Sequence, residues 1–149
     1  MKYRLTEEKK EFRGKVLHRI VCVKAFGPVD VGETGGWVES ENNLSQDGNA
    51  WVSGNAQVSD NAQVYGDAQV YGDAQIMSKK DYIVLKNTRS SGRYFTYTAS
   101  NGKWAVGCFY GTGKELVAKA YNDSKLSGKC YEASVKFVEE LERLKKEAR

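Results

Sequence analysis

A six-residue alternation of apolar and polar positions runs through the middle of the chain. Each unit opens on an aliphatic residue, has alanine at its fifth position and ends on glutamine. The third position is Gly or Asp and the fourth is Asn or Asp. The four complete units begin at Val52, Val58, Val64 and Val70, and the series ends at Ile76.

The pattern predicts a coil with flat faces. Ala, Gln and Val form a short strand in which Ala and Val point to one side and Gln to the other. The Gly/Asx pair tolerates a left-handed backbone and predicts a sharp turn after each strand. Three such units, about 18 residues, close one turn of a solenoid whose interior is filled by valine and alanine.

The residues before the repeat predict β structure. Val16–Val23 is rich in β-branched residues, and Arg13-Gly14-Lys15 predicts a hairpin turn between it and Lys9–Phe12. In the chain that follows, turns are predicted at Phe26-Gly27-Pro28 and at Gly35-Gly36. We interpret this region as a small hairpin cap that leads into the coil.

The residues after Met77 predict a different module. Tyr82–Asn87, Tyr94–Thr98 and Lys103–Tyr110 have the composition of three strands, and Asn101-Gly102 is a tight-hairpin signal between the last two. Thr112 or Gly113 is expected to cap a short helix that runs to Ala120. The order predicts an antiparallel sheet with helices on one face.

A longer helix is predicted from Gly128 to Ala148. Phe137, Leu141, Leu144 and Ala148 recur at helical spacing and form its apolar stripe. The i,i+4 pairs Glu139/Arg143 and Glu142/Lys146 are expected on the exposed side.

The repeat resembles the hexapeptide-repeat, left-handed parallel β-helix family. The match covers about residues 46–76, with Val38 and Leu44 as degenerate earlier positions. The resemblance implies a short left-handed parallel β-helix. Together with the patterns of the flanks it gives the expected fold class, mainly β with an α+β C-terminal part: a β-hairpin cap, the β-helix, and then an antiparallel sheet with two helices. About two turns are too few to stand alone, so the flanks or another subunit must cap the ends.

Two short segments resemble parts of small prophage-encoded repeat proteins. These are residues 35–45, which lead into the repeat, and residues 104–112, which follow it. That resemblance implies a phage accessory factor but no defined activity.

Charge divides the chain into two predicted domains, 1–77 and 78–149. The first holds 8 Lys/Arg and 11 Asp/Glu for a net charge of −3, and the second holds 15 and 8 for +7. The total of +4 therefore hides a basic C-terminal half. No apolar run is long enough for a transmembrane helix and no signal peptide is evident, so we expect a protein of the bacterial host cytoplasm without membrane contact.

The candidate chemistry argues against an enzyme. Hexapeptide-repeat proteins are often trimeric acyltransferases with a histidine base in the coil region, whereas His18 is the only histidine and lies before the repeat. Cys22, Cys108 and Cys130 form no CxxC pair and are expected to be reduced thiols. We expect no metal, no cofactor and no catalytic residues, with a small acyltransferase as one alternative.

Candidate binding residues combine aromatic and basic side chains. Tyr65 and Tyr71 stand at the second repeat position, where a side chain is expected to face outward or to lie at a corner. In the basic half, aromatics alternate with Lys/Arg in a pattern that suits single-stranded nucleic acid or an acidic protein. The candidate set is Tyr65, Tyr71, Arg89, Arg93, Tyr97, Lys103, Trp104 and Lys114.

The function expected from the sequence is therefore non-catalytic binding. We expect a phage or prophage accessory protein that occupies a host protein or nucleoprotein complex, for example as an inhibitor of CRISPR–Cas defence, through protein–protein contact. A nucleic-acid-binding module that uses the basic aromatic sheet is the other alternative. A stubby solenoid with an open end also favours self-association, so a homo-oligomer, dimer or trimer, is expected.

Overall fold

The computed structural model describes residues 1–148, so Arg149, the last residue of the predicted C-terminal domain, lies outside the described part. The strands are β1 (Tyr3–Phe12), β2 (Lys15–Cys22), β3 (Thr34–Val38), β4 (Trp51–Val52), β5 (Gln57–Val58), β6 (Gln69–Val70), β7 (Gln75–Ile76), β8 (Tyr82–Lys86), β9 (Tyr94–Thr98), β10 (Lys103–Val106) and β11 (Phe109–Thr112). The helices are α1 (Gly113–Asp123) and α2 (Lys125–Glu147), with short 3₁₀ turns at Glu41–Asn43 and Lys79–Asp81. The chain is thus mostly β sheet with two C-terminal helices, which confirms the predicted coarse class.

The predicted N-terminal hairpin is confirmed. β1 and β2 pair antiparallel around Arg13 and Gly14, whose φ angles are 50° and 78°. β2 then pairs antiparallel with β3, and β3 pairs parallel with β5. The hairpin sheet therefore continues directly into the repeat, in the strand order β1-β2-β3-β5-β7.

The repeat segment, residues 44–76, consists of short parallel strands that pair with the strand three units further along. Trp51 pairs with Gln69 and Gln57 pairs with Gln75, in both cases 18 positions apart. A parallel bridge between Leu44 and Val64 forms a third row. The predicted inward side chains are confirmed: Val52, Val58, Val64, Val70 and Ile76 are each 0% exposed, and the alanines at the fifth position are at most 1% exposed.

The third position of each unit has the predicted left-handed backbone. The φ angles are 64° at Gly54, 56° at Asp60, 68° at Gly66 and 65° at Gly72. Successive turns approach closely there, since a Cβ on Gly54 would lie 3.2 Å from the carbonyl oxygen of Gly72. Glycine therefore serves two purposes at this position, the turn and the close stacking.

Side chains satisfy backbone groups at both ends of the repeat segment. At the N-terminal end, Lys2 Nζ donates to the Ala50 carbonyl at 2.7 Å and the Tyr3 hydroxyl donates to the Leu44 carbonyl at 2.6 Å. At the other end, the N–H of Gln75 donates to Ser100 Oγ at 2.8 Å. The chain's own flanks therefore contact both ends, as one of the two expected alternatives had it, and the expectation of an open end is wrong.

The C-terminal sheet has the order β11-β10-β9-β8 and is antiparallel throughout. The single strand predicted over Lys103–Tyr110 is in fact two strands, β10 and β11, because the chain reverses at Gly107, whose φ is 55°. One face of the sheet meets the repeat segment and the other packs on the helices, where Phe95 and Trp104 join the second core cluster.

Helix α1 begins where the sequence predicted. Thr112 Oγ1 accepts from the Glu115 N–H at 3.2 Å, and the Glu115 carboxylate accepts from the Thr112 N–H at 2.9 Å. This reciprocal capping fixes the start of the helix. Backbone hydrogen bonds at Thr112 lower the pKa of the Glu115 carboxyl, which keeps the cap ionised.

The buried face of α2 differs from the predicted apolar stripe. Tyr131, Val135 and Val138 are buried, whereas Phe137 and Leu144 are 52% and 47% exposed. The reason is local packing, since a Cβ on Gly128 would lie 2.3 Å from the Tyr121 ring, so only this face admits α1. The predicted ion pairs also change: Arg143 pairs with Glu140 and Glu147 instead of Glu139, and Glu142 pairs with Lys145 instead of Lys146.

Candidate interaction site

A concave site with three tyrosines lies where the repeat segment meets the C-terminal sheet. We call it the tyrosine cleft; its volume is about 370 Å³. The lining residues are Tyr65, Gly66, Asp67, Lys79, Tyr82, Val84 and Tyr94. The cleft combines apolar ring surface with hydroxyl groups, the ammonium group of Lys79 and the carboxylate of Asp67, a chemistry typical of protein interfaces.

Tyr65 faces outward because it follows the inward-pointing Val64 in its repeat unit. Its side chain is 59% exposed, which agrees with the expectation for the second repeat position. The neighbouring backbone is held by the parallel pairing of the repeat segment, in which the N–H of Asn49 donates to the Gly66 carbonyl at 3.0 Å. The ring is thus carried by a fixed backbone.

Tyr82 lines the cleft and connects the C-terminal sheet to the repeat segment. It follows the 3₁₀ turn at Lys79–Asp81 and opens β8. Its hydroxyl donates to the Gln63 carbonyl at 2.7 Å. Burial, with a contribution from nearby Tyr65, raises the pKa of Tyr82 to about 12, so the phenol stays a donor throughout the physiological range.

Tyr94 lines the cleft from the C-terminal sheet. It is the first residue of β9, is 43% exposed, and pairs across the ladder with Lys86. The Lys86 ammonium lies 5.0 Å from the centroid of its ring, a cation–π contact. Two exposed rings, from Tyr65 and Tyr94, therefore line the same cleft beside lysines at positions 79 and 86.

Tyr71 and Lys103 lie elsewhere on the junction with the sheet. The Tyr71 ring is half-buried against Tyr110, with ring centroids 6.2 Å apart, and its hydroxyl donates to Gln69 Oε1 at 3.0 Å. Lys103 Nζ lies 5.5 Å from the centroid of the Tyr110 ring. These two predicted residues come together around Tyr110 instead of joining Tyr65.

Tyr97, Trp104 and Lys114 line a groove between the sheet and α2. Trp104 is only 2% exposed, so the expectation of a solvent-facing ring is wrong at this position, because the helices cover that face of the sheet. Tyr97 is half-buried, and burial together with Glu142 raises its pKa to about 12.

Arg89 and Arg93 are exposed at a third place. Arg89 lies in the turn between β8 and β9, and Arg93 lines a cavity with Cys108, Phe109 and Tyr131. The predicted residues are therefore spread over several surfaces. The site residues predicted from the sequence do not include Lys79, Tyr82 and Tyr94. One signal was available for Tyr94: it precedes Phe95 on β9, and successive side chains of a strand point to opposite faces of the sheet.

The residues that could carry chemistry are scattered in the described part of the chain. His18 lies on β2, where its Nδ1 is 3.4 Å from the Thr6 carbonyl oxygen. Cys22 is buried, and burial raises the pKa of its thiol. Residues 1–148 contain no group of three His, Cys, Asp or Glu side chains placed to hold a metal ion.

Neither helix within residues 1–148 has the length and apolar character needed to cross a membrane.

Comparison with known proteins gives one partial similarity. No family model matches the chain. An uncharacterized acetyltransferase, YdcK of Escherichia coli (strain K12), is 36% identical over 59 residues. The alignment covers 34% of this chain and 18% of that protein, so the chain spans less than a fifth of its relative's length.

Proposed function

We propose that the chain is a non-catalytic binding protein that holds a protein partner at the tyrosine cleft. The observation that carries this proposal is the pair of exposed rings, Tyr65 from the repeat segment and Tyr94 from β9, that line one concave site. Tyrosines of this kind are enriched among the residues that dominate binding energy, because a large ring is buried at little cost in conformational entropy.

The repeat segment is proposed to be a short left-handed parallel β-helix. The 18-residue offset of the paired strands and the inward aliphatic rows support this fold. The partial similarity to an acetyltransferase, a class often built on hexapeptide repeats, agrees with it. In this role the repeat is a rigid support that fixes the position of Tyr65.

The proposed biological role follows from the resemblance to small prophage proteins. The chain would be a phage-encoded accessory factor that acts in the cytoplasm of the bacterial host and occupies a host protein or nucleoprotein complex, as an inhibitor of a defence system such as CRISPR–Cas does. Lys79 and Lys86 at the cleft outnumber the carboxylate of Asp67, which favours an acidic partner surface.

Acetyl transfer is the second candidate function, favoured by the named relative. The geometry supplies little for it, because the single imidazole lies on the hairpin beside a backbone carbonyl and outside the repeat segment. Direct nucleic-acid binding is favoured less, since Phe95 and Trp104 lie under the helices and cannot stack on bases.

The test compares three forms of the purified full chain as bait in lysate of the bacterial host. These are the native chain, the cleft variant Tyr65→Ala/Tyr94→Ala, and the control Val16→Ala/Val31→Ala, which truncates two exposed apolar side chains outside the cleft. The captured protein is then purified and its affinity measured for each form. We expect at least tenfold weaker binding for the cleft variant alone.

Three results would contradict the proposal. Equal affinity of the cleft variant and the native chain would exclude the cleft. Loss of capture after nuclease treatment would point to nucleic acid instead. Acetyl-coenzyme A binding measured by calorimetry, together with an acetyl transfer abolished by His18→Ala, would make the chain an enzyme.

A further inference from the structure

Helix α2 carries a second apolar stripe on the side away from the core. The stripe consists of Leu126, Cys130, Ala133, Phe137, Leu141 and Leu144, and it ends at Ala148, the residue that caps the C-terminus of α2. At 100° per residue these seven positions fall within an arc of about 80°, on the far side of the helix from Tyr131 and Val135. Leu126, Phe137 and Leu144 are 57%, 52% and 47% exposed, and Cys130 and Leu141 are partly buried, so most of the stripe is uncovered from one end of the helix to the other.

The stripe is symmetric about Phe137. Its positions follow one another at intervals of four, three and four residues when counted from Phe137 in either direction. The 11-residue spacing of Leu126, Phe137 and Ala148 suits two nearly straight helices. An antiparallel pair centred on Phe137 would therefore place every stripe residue opposite another stripe residue.

Side-chain sizes match only in the antiparallel arrangement. Leu126 would face Ala148 of the second copy, Cys130 would face Leu144, and Ala133 would face Leu141. Each small side chain thus meets a leucine, the alternation that fills an interface without voids. A parallel pair would instead set Ala133 against Ala133 and Leu126 against Leu126.

The charges along one border of the stripe also favour an antiparallel pair of helices. Lys129 and Lys136 lie in the N-terminal half of α2, and Glu140 and Glu147 lie in the C-terminal half. The two carboxylates pair with Arg143 yet stay 53% and 63% exposed. In an antiparallel pair the same border of both helices meets, so Lys136 approaches Glu140 and Lys129 approaches Glu147.

We propose that α2 is the interface of a two-fold symmetric homodimer in which the helices of two copies pair antiparallel with Phe137 at the axis. The surface lies on another element than the tyrosine cleft, so both can be occupied together. Two helices of about 34 Å give an interface near the small end of specific complexes, about 1,200 Å², so dissociation is expected on dilution through micromolar concentrations.

The first test measures mass by sedimentation across a concentration series. The native chain should change from dimer to monomer, and Phe137→Glu should stay monomeric at all concentrations, because it sets two carboxylates against each other at the axis. Val31→Glu, a change at a 66% exposed apolar residue outside α2, should dimerise like the native chain. A native chain that is monomeric throughout, or a dimer that survives Phe137→Glu, overturns the proposal.

The second test fixes the direction of the helices by oxidative crosslinking in a Cys108→Ser background. Native Cys130 alone should give no crosslinked dimer, and adding Leu144→Cys should give one. Crosslinking through Cys130 alone would indicate a parallel pair and overturn the proposal.

The third test exchanges charges. Glu140→Lys/Glu147→Lys should weaken the dimer at least tenfold at low salt, and adding Lys129→Glu/Lys136→Glu should restore it. Since both variants lose the contacts to Arg143, failure of the fourfold variant to recover would overturn the antiparallel arrangement.

Discussion

The backbone N–H of Gln69 donates to the side-chain oxygen of Thr96 at 3.0 Å, although the two residues lie 27 positions apart. In the repeat segment the corresponding N–H of Trp51 donates to the Ala68 carbonyl of the next turn. A threonine side chain on β9 thus substitutes for the turn that would have followed. The sheet ends the stack of parallel strands by hydrogen bonding as well as by covering it.

Thr96→Val tests this contact with a side chain of nearly the same shape. The Gln69 N–H would lose its acceptor at a site where Thr96 is 1% exposed. We expect a loss of about 2 kcal/mol in the free energy of unfolding, measured by urea denaturation. The parallel change Ser100→Ala should cost about 0.5 kcal/mol, because Ser100 is exposed and water can replace it. Equal effects at both positions would contradict this explanation.

Asn43→Ala should be among the most damaging polar substitutions. The Asn43 side chain is 1% exposed, donates to the carbonyls of Ala62 and Asp60, and accepts from the Ser40 N–H at 2.9 Å. Its loss leaves buried carbonyls without a donor, so we expect about 2–3 kcal/mol less stability in thermal denaturation. Asn42→Ala, at an exposed neighbour, is the matched control and should change stability by less than about 0.5 kcal/mol.

Gly36→Ala should destabilise the junction between the hairpin sheet and the repeat segment. A Cβ at Gly36 would lie 2.7 Å from both the Ala56 carbonyl oxygen and Val52 Cγ1. Backbone on one side and a buried valine on the other leave no room to adjust, so the cost is about 2–3 kcal/mol. Urea denaturation checks this, with Thr34→Ala on the exposed start of β3 as the control. A stability equal to that of the control would show that the turns can separate without cost.

Tyr82 should make stability depend on alkaline pH. Its pKa is raised from 10.0 to about 12 in the folded chain, chiefly by burial. Between these values the folded state binds more protons than the unfolded state, so this contribution is present below pH 10 and is lost as the pH rises towards 12. Tyr82→Phe removes the titrating group, and its stability should therefore fall less steeply above pH 10 than that of the native chain.

The same variant gives an internal check at neutral pH. Loss of the hydrogen bond to Gln63 should cost about 1 kcal/mol at pH 7. The difference between Tyr82→Phe and the native chain should shrink as the pH is raised above 10. A constant difference from pH 7 to pH 11.5, measured by urea denaturation, would contradict the role given to the phenol.

The local architecture of the repeat could be predicted from the sequence because each feature depends on neighbours along the chain. The aliphatic first position and the alanine at the fifth predict the interior, and the Gly/Asx pair predicts the positive φ at positions such as Gly54 and Asp60. The N-terminal hairpin and the capped start of α1 are equally local. The predictions for the hairpin and for the start of α1 are confirmed because they too depend only on residues that are close in the sequence.

The tyrosine cleft could not be predicted, because it depends on contacts between distant parts of the chain. Tyr65 and Tyr94 become neighbours only when β8 and β9 pack on the repeat segment. The buried face of α2 was predicted wrongly for a different reason. The helix has two apolar stripes, and the sequence does not show that packing between Gly128 and Tyr121 buries the stripe that contains Tyr131. At Gly107 the break between β10 and β11 was signalled by a glycine that the prediction passed over.

The 18-residue offset between paired strands determines how the length of the repeat segment can change. Three added hexapeptide units after Gln57 would keep the end contacts of Lys2 and Thr96 and raise the C-terminal module by one strand spacing, about 4.8 Å, although they would separate Arg13 of the hairpin from Met77. One added unit would instead shift the repeat by a third of a turn, so the strand that contains Gln69 would no longer lie opposite Thr96 of β9. Insertions that keep these contacts at both ends of the repeat segment must therefore come in multiples of 18 residues.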